Sequence, residues 1–430
     1  MPAPDSPVRA LDDLLILFHE AETPREGWLI GTEAERIAVH RDDGSPLPYA
    51  GASSVVAILE RLVERHGWEA EREVEDGPIV ALRRGAGSVT LEPGSQIELS
   101  GAPYRSVHDG KAESDAHWRE LAPIMEELGL VWLGLGCHPF STVDELGWVP
   151  KLRYGVMREY LPTRGTMAGD MMTKTATVQA NLDYASEEDA MRKLRVSLRA
   201  QPLVTAMFSN SPWHEGRRSG YVSYRALVWQ HMDPDRSGLL PFAWQDHPRY
   251  RDYAEWALDA PMFLVKRGTK VLRNTGQTFR AFMEDGFQGV MPTYHDWVVH
   301  LSTLFPEVRL KSTLECRGAD AQGDGMSFAL PALWKGLLYD DESLRKLEGL
   351  VDSWSLPEVE SHRDALARHG IRTRFFGRDA TDWAGEILEL AEAGLRRLDD
   401  RNRDGDDEAT LLAPLRALLE QANTPAHVLL

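Results

Sequence analysis

An α+β fold is predicted for this chain, with a sheet of one apolar and one polar face backed by helices, and three observations predict it. Four separate segments place polar or charged side chains two residues apart in apolar surroundings: Glu33 and Glu35, Gln96 and Glu98, Gln179 and Asn181, Glu315 and Arg317. Side chains alternate across a strand, so each pair shares a face. The stretches between them carry apolar residues at helical spacing instead. With 430 residues and 43% hydrophobic content, the chain can bury a substantial core.

The elements follow in chain order. Leu11 to Glu20 reads as an amphipathic helix, and GWLIGTEAERIAVHR alternates as a strand over Leu29 to His40, broken by Gly44 and Pro46. ASSVVAILERLVERHG is helical and ends at Gly67, a C-terminal cap residue. PIVALRRGAGSVTLEPGSQIELSG holds two apolar runs around Gly85 and Gly87, a hairpin signal. A helix follows over Val107 to Leu128, and GLVWLGLGCHPF reads as a buried strand. The Met-, Arg-, Gly- and Thr-rich segment 151–183 ends in the strand TATVQANLDY. Ser186 then caps a long helix reaching about Phe208. Loops around HMDPDRSG lead to the strand-like PMFLVKRG and to a strand pair, or strand and loop, in LSTLFPEVRLKSTLECRGAD. The rest is helical, with LARHGIRTRFF a candidate interruption and DDRNRDGDDE a solvated charged loop. No repeat or low-complexity linker marks a boundary, and residues 1–430 are read as one domain.

Charge and motifs exclude several classes. A formal charge of -19 without a basic cluster argues against nucleic acid, whose phosphates are bound through dense Lys and Arg. The N-terminal segment carries Asp12 and Asp13 before a short apolar stretch and lacks a basic region, so no signal peptide is read. No stretch reaches the roughly 20 apolar residues of a membrane span. A cytosolic protein is therefore expected. Cys137 and Cys316 support neither a disulfide framework nor a thiolate zinc site, and are expected to be reduced. There is no phosphate-binding GxxxxGK[ST] loop, no GxGxxG fingerprint and no GxSxG elbow; GLGLGC reads as a strand end. His214 and His295 are read as surface or structural histidines rather than general bases.

If the four polar-faced strands share one sheet, they gather carboxylates, amides and a guanidinium on one side. Close carboxylates cannot all ionise freely, and divalent cations between them resolve the repulsion. Glutamates without a His or Cys cluster suit magnesium better than zinc. Each pair alone would fit the solvent face of a strand; the four together point to a site.

The chain resembles the plant-type glutamate-cysteine ligases, found in plants and many bacteria, within the glutamine synthetase-like carboxylate-amine ligases. The resemblance is carried by IGTEAER, LEPGSQIELSGAP, RYGVMREYLP, GDMMTKTATVQANLD, SLRAQPLVTAMFSNSP, YRALVWQHMDPDRSGLLPF, ALDAPMF and FPEVRLKSTLECRGAD. These blocks run in family order, strongest over 30–340, with a mostly helical part over 341–430.

The resemblance implies a glutamine synthetase-like fold whose curved antiparallel sheet forms a funnel holding magnesium between nucleotide and amino-acid pockets, helices lying outside. It implies metal ligation by Glu33, Glu35, Glu92, Gln96, Glu98 and Glu315, with Gln179 and Asn181 on the substrate side. Arg153, Arg225 and Trp229 would face glutamate, Tyr224 and Phe263 the cysteine side, and Arg309 and Lys311 the ATP phosphates. Arg317, Glu33 and Glu98 would serve catalysis. The implied reaction is ATP- and Mg2+-dependent joining of the glutamate γ-carboxylate to the cysteine amine through γ-glutamyl phosphate, the first step towards glutathione or a related thiol. A sister ligase with another amine acceptor is the alternative. Partners would be these small molecules alone, with neither nucleic acid nor membrane, in a monomer or weak homodimer.

Three departures stand out. Plant members carry a chloroplast transit peptide and redox-linked cysteines, whereas this chain has two cysteines and starts near its first helix, so no internal disulfide switch is expected. Cys316 stands where the family has methionine, and Phe263 where it has tyrosine.

Overall fold

The structure is a computed structural model and describes residues 2–268 and 270–430. Its centre is an antiparallel sheet organised around β1 (Ile30–His40), which accepts neighbours on both edges. Counting from one side, the order is Val308–Leu310, Leu314–Cys316, β7 (Val178–Leu182), β1, β5 (Ile97–Ser100), β4 (Gly87–Leu91), β3 (Ile79–Arg84) and β2 (Glu69–Arg72). A further strand, β6 (Leu130–Leu133), pairs with the C-terminal half of β1.

Register decides which residues share a face. Glu33 stands opposite Ser100 on one side and Gln179 on the other, Glu35 opposite Glu98, and Glu315 opposite Asn181 and Arg309. The predicted polar pairs on β1, β7 and Leu314–Cys316 therefore lie on one face. The other face carries Ala34, Leu99, Ala180, Leu182, Leu314 and Cys316, all buried.

Helices seal that apolar face. α1 (Leu11–Glu20), α2 (Val55–His66) and α3 (Val107–Leu128) precede the long, largely buried helix α6 (Glu187–Met207), which Ser186 caps by accepting from Asp189 N–H at 3.2 Å. Leu194, Leu198 and Leu203 of α6 are fully buried, each contributing roughly 1.5–3 kcal/mol over an exposed position. Helix Ala329–Leu338 packs on β7 and β1 and in turn carries Ala380–Leu398. The last two helices touch backbone to backbone: a Cβ on Gly394 would stand 2.0 Å from the Gly336 carbonyl oxygen.

The predicted helices at 11–20, 55–66, 107–128 and 186–208 are present, as is the interruption after His369, where a small ribbon (Arg374–Phe375 with Arg378–Asp379) forms. The segment GLVWLGLGCHPF keeps only β6 as strand, because the chain turns away at Gly134. Segment 151–183 contains two helices that its composition hid, α4 (Leu152–Tyr160) and α5 (Ala168–Lys174). A further short helix, α7 (Tyr224–Gln230), interrupts what reads as loop. The charged loop 399–408 is solvated except at its end: Glu408 is fully buried, accepts from Val107 N–H at 2.5 Å and pairs with Lys335 at 2.7 Å.

Candidate active site

The polar face of the sheet floors a cavity of about 470 Å3, within the range that holds small-molecule ligands. Its acidic half is built by β1, β5 and the turn after β4. Carboxylate oxygens of Glu35, Glu92 and Glu98 lie within 4.8 Å of one another, the one such cluster among the described residues. Local donors orient them. Thr177 N–H donates to Glu35 Oε2 at 2.9 Å, the Thr90 hydroxyl to Glu98 Oε1 at 2.9 Å, and Ser100 adds a hydroxyl to the same oxygen. Glu33 accepts from Asn181 Nδ2 at 3.0 Å.

Burial and mutual repulsion make these carboxylates reluctant to ionise. Burial first, then the charges of Glu92 and Glu98, push Glu35 well above the ordinary range. Burial and Glu92 raise Glu98, and burial with Glu98 and Glu315 raises Glu33 to about 7. An all-oxygen cluster whose charges repel is a fit for a hard cation such as magnesium, which supplies the missing positive charge.

The basic half lies across the sheet. Arg309 donates to both oxygens of Glu315, at 2.7 and 2.9 Å, Arg317 donates to the same carboxylate and to Gln179 Oε1 at 2.7 Å, and Lys311 stands 3.6 Å away. Burial alone would raise Glu315, but Arg309, Arg317 and Lys311 outweigh it and hold the carboxylate well below its usual range. Arg153 on α4 lines the cavity as well. So does Lys151, whose ammonium donates to Leu91 O at 2.8 Å and is pushed down to about 8 by burial and Arg153.

A second, smaller cavity of about 40 Å3 adjoins the first, with Arg317 and Phe305 lining both. α7 supplies Arg225 and Trp229 to its wall, and helix Leu356–His369 supplies Arg363, ion-paired with Glu307. Arg225 is buried and donates to the carbonyls of Gly318 at 2.8 Å and Arg317 at 3.0 Å. Its Nε and the Trp229 Nε1 are buried without a hydrogen-bond partner in the protein.

The sequence-predicted residues thus divide. Glu33, Glu35, Glu92, Glu98, Arg153, Gln179, Arg309, Lys311 and Arg317 meet in one cavity, Arg225 and Trp229 in its neighbour, and Asn181 braces Glu33. Four expectations fare differently. Gln96 lies in the turn before β5 rather than on the strand, and its amide accepts from Gly94 N–H and donates to Thr175 O, both at 2.8 Å, so it faces away from the acidic cluster. Glu315 is on the expected face, but its oxygens are taken by arginines rather than standing open for a metal. Tyr224 stacks on His214 at 4.2 Å, and Phe263 is buried against Arg236 at 4.1 Å; neither lines either cavity. Lys151, Glu307 and Arg363 were not anticipated; Lys151, next to the RYGVMREYLP block, and Glu307, inside the FPEVRLKSTLECRGAD block, lay within reach of a sequence signal, and Arg363 did not. His214 sits in a part-buried cluster with Lys174 and Asp170 and lines neither cavity. Both cysteines are free and buried.

An antiparallel sheet holding a carboxylate cluster beside an arginine–lysine cluster has the chemistry of a site for phosphorylated ligands. The comparisons agree. The model of glutamate-cysteine ligase family 2 matches residues 29–430, and the chain belongs to that family. It is 40% identical over 422 residues to glutamate-cysteine ligase B, chloroplastic, of Oryza sativa subsp. japonica, covering 97% of this chain and 83% of the rice protein. It is 38% identical to the chloroplastic enzyme of Arabidopsis thaliana, covering 97% and 79%. A solved glutamate-cysteine ligase from Francisella tularensis in complex with AMP shares the fold, with a TM-score of 0.56 at 11% identity over 93% of this chain and 83% of that one. The plant relatives are chloroplastic proteins, which overturns the expectation of a cytosolic one. Among the described residues no helix is long and apolar enough to cross a membrane.

Proposed function

We propose that this chain is an ATP-dependent glutamate-cysteine ligase acting through one catalytic domain, residues 1–430, and forming γ-glutamylcysteine on the way to glutathione. Arg317 carries the reading: it lines both cavities, where a phosphoryl group coming from one side and a carboxylate held on the other would meet.

A carboxylate is a poor electrophile, and phosphorylation gives it a leaving group. An oxygen of the glutamate γ-carboxylate takes the γ-phosphoryl group of ATP, and ADP leaves. The cysteine nitrogen then attacks the acyl carbon, losing a proton, and phosphate leaves. Arg225 and Trp229 hold the glutamate with their free N–H donors, the planar guanidinium suiting a carboxylate. Lys311 and Arg317 meet the charge that develops during transfer, while Arg309 keeps Glu315 fixed between them. Glu35, Glu92 and Glu98, with Glu33 beside them, would hold magnesium, which when bound neutralises phosphate charge. Holding donor and acceptor side by side replaces a bimolecular encounter by an intramolecular one.

The test is phosphate release from ATP, magnesium and glutamate, with and without cysteine, products identified by mass. Release that requires glutamate together with cysteine or 2-aminobutyrate and yields the γ-glutamyl dipeptide supports the reading. Release only with ammonia or glycine transfers the protein to a sister ligase, and release without glutamate refutes it.

A further inference from the structure

Asp320 lies just beyond Arg317 in sequence, is fully buried, and lines neither cavity. Its Oδ2 accepts from the Asn210 N–H and the Ser211 hydroxyl, both at 2.7 Å, and its Oδ1 from the Ser223 hydroxyl at 2.9 Å. Both serines pass the contact on to α7. Ser223 is the N-cap, its oxygen accepting from Ala226 N–H at 3.0 Å, and Ser211 Oγ accepts from the Arg225 N–H at 3.1 Å. The Arg225 guanidinium closes the ring on the Arg317 and Gly318 carbonyls. The chain makes room for this carboxylate: a Cβ on Gly136 would stand 2.4 Å from Asp320 Cγ.

A hydroxyl has one proton to give. An ionised carboxylate only accepts, so at Asp320 it draws the protons of both serines towards itself and leaves their lone pairs for the α7 N–H groups. An amide at the same place would offer one acceptor and one donor, turning one hydroxyl proton onto an N–H that needs an acceptor.

We infer that Asp320 is a positioning residue, setting the seat of α7 through Ser211 and Ser223 and thereby the place where Arg225 and Trp229 present their free donors to the amino-acid substrate. The inference rests on the reading of Arg225 and Trp229 as glutamate-binding, and the experiment separates the two.

Initial rates varied in glutamate and in ATP are measured for the wild type, R225A, D320N and the double variant. Both single variants are expected to raise the KM for glutamate about 10-fold or more while the KM for ATP stays within about 2-fold, and the double variant is expected to resemble R225A alone, because coupled residues are not additive. Penalties that multiply in the double variant, or a D320N effect that falls equally on ATP, overturn the positioning role. An R225A variant with unchanged glutamate KM refutes the site reading itself. Should D320N fail to fold, S211A enters the same cycle, removing one hydroxyl and leaving the carboxylate, with the same non-additivity expected.

Discussion

Glu33 offers the sharpest physical test of the acidic floor. Its carboxyl is raised from 4.5 to about 7, first by burial and then by Glu98 and Glu315, with Lys311 and Arg317 opposing. The folded chain therefore keeps a proton that the unfolded chain has released. A group whose pKa is raised on folding contributes stability that is complete below its unfolded pKa and disappears as pH rises through the folded one. The window here runs from 4.5 to about 7. At 1.36 kcal/mol per pKa unit, the loss is about 3 kcal/mol. With an unfolding entropy of roughly 2.1 cal/mol/K per residue, that is about 4 °C in Tm for a chain of this length.

The perturbation is E33Q, which keeps a carbonyl acceptor for Asn181 Nδ2 and removes the ionisation. Wild type and variant are melted in chelator at intervals from about pH 5 to pH 8. The Tm of E33Q should gain on the wild type by about 3 °C across that range, the rest of the loss falling below about pH 5. Contributions from Glu35 and Glu98, raised in the same direction, are present in both proteins and cancel to first order. Adding magnesium at the alkaline end should restore the wild type more than the variant, because the cation takes the place of the missing proton. Parallel melting curves, or a wild type that gains on E33Q as pH rises, would refute the account of a repelling carboxylate floor.

Three further outcomes follow from the same geometry. E98Q should raise the magnesium concentration for half-maximal activity about 10-fold or more, as loss of metal-site groups does; an unchanged magnesium titration would remove Glu98 from the ligand set. R317A should lower kcat by about 100-fold or more, the scale of losing one preorganised donor to developing charge, and single-turnover phosphate release would show whether the loss lies in phosphoryl transfer. Burial pushes both the Cys137 and Cys316 thiols up, so activity should stay within about 2-fold between dithiothreitol and diamide; thiol labelling after denaturation should find both free.

Much of this site was legible because strand alternation is a strict rule where it applies. Glu33, Glu35, Gln179, Asn181 and Glu315 fall on one face because registered antiparallel strands place opposite residues on the same side. Gln96 shows where the rule ends. The β4–β5 connection turns through Ser95, a non-glycine residue at φ 74°, and Gln96 precedes the first residue of β5, so its separation of two from Glu98 crosses a turn and not a pleat. Glu315 shows a different limit. Alternation gives its face, but whether a carboxylate there is open to a metal or closed by cations depends on what stands across the hairpin, and that is Arg309.

The residues that alternation could not reach come from short or distant elements. α4 and α7 are nine and seven residues long, too short for helical periodicity to declare itself, yet they carry Arg153, Arg225 and Trp229. Arg363 arrives from helix Leu356–His369, beyond the motif-bearing part of the chain. What joins these pieces is again a set of local hydrogen bonds. Arg225 reaches the carbonyls behind Arg317, and Arg317 reaches Glu315 and Gln179. A helix too short for periodicity to reveal is thus fixed against a strand that alternation does reveal. The smaller cavity is therefore determined by the seat of α7 on the residues following Glu315, a relation set by tertiary packing that periodicity within either segment cannot reveal.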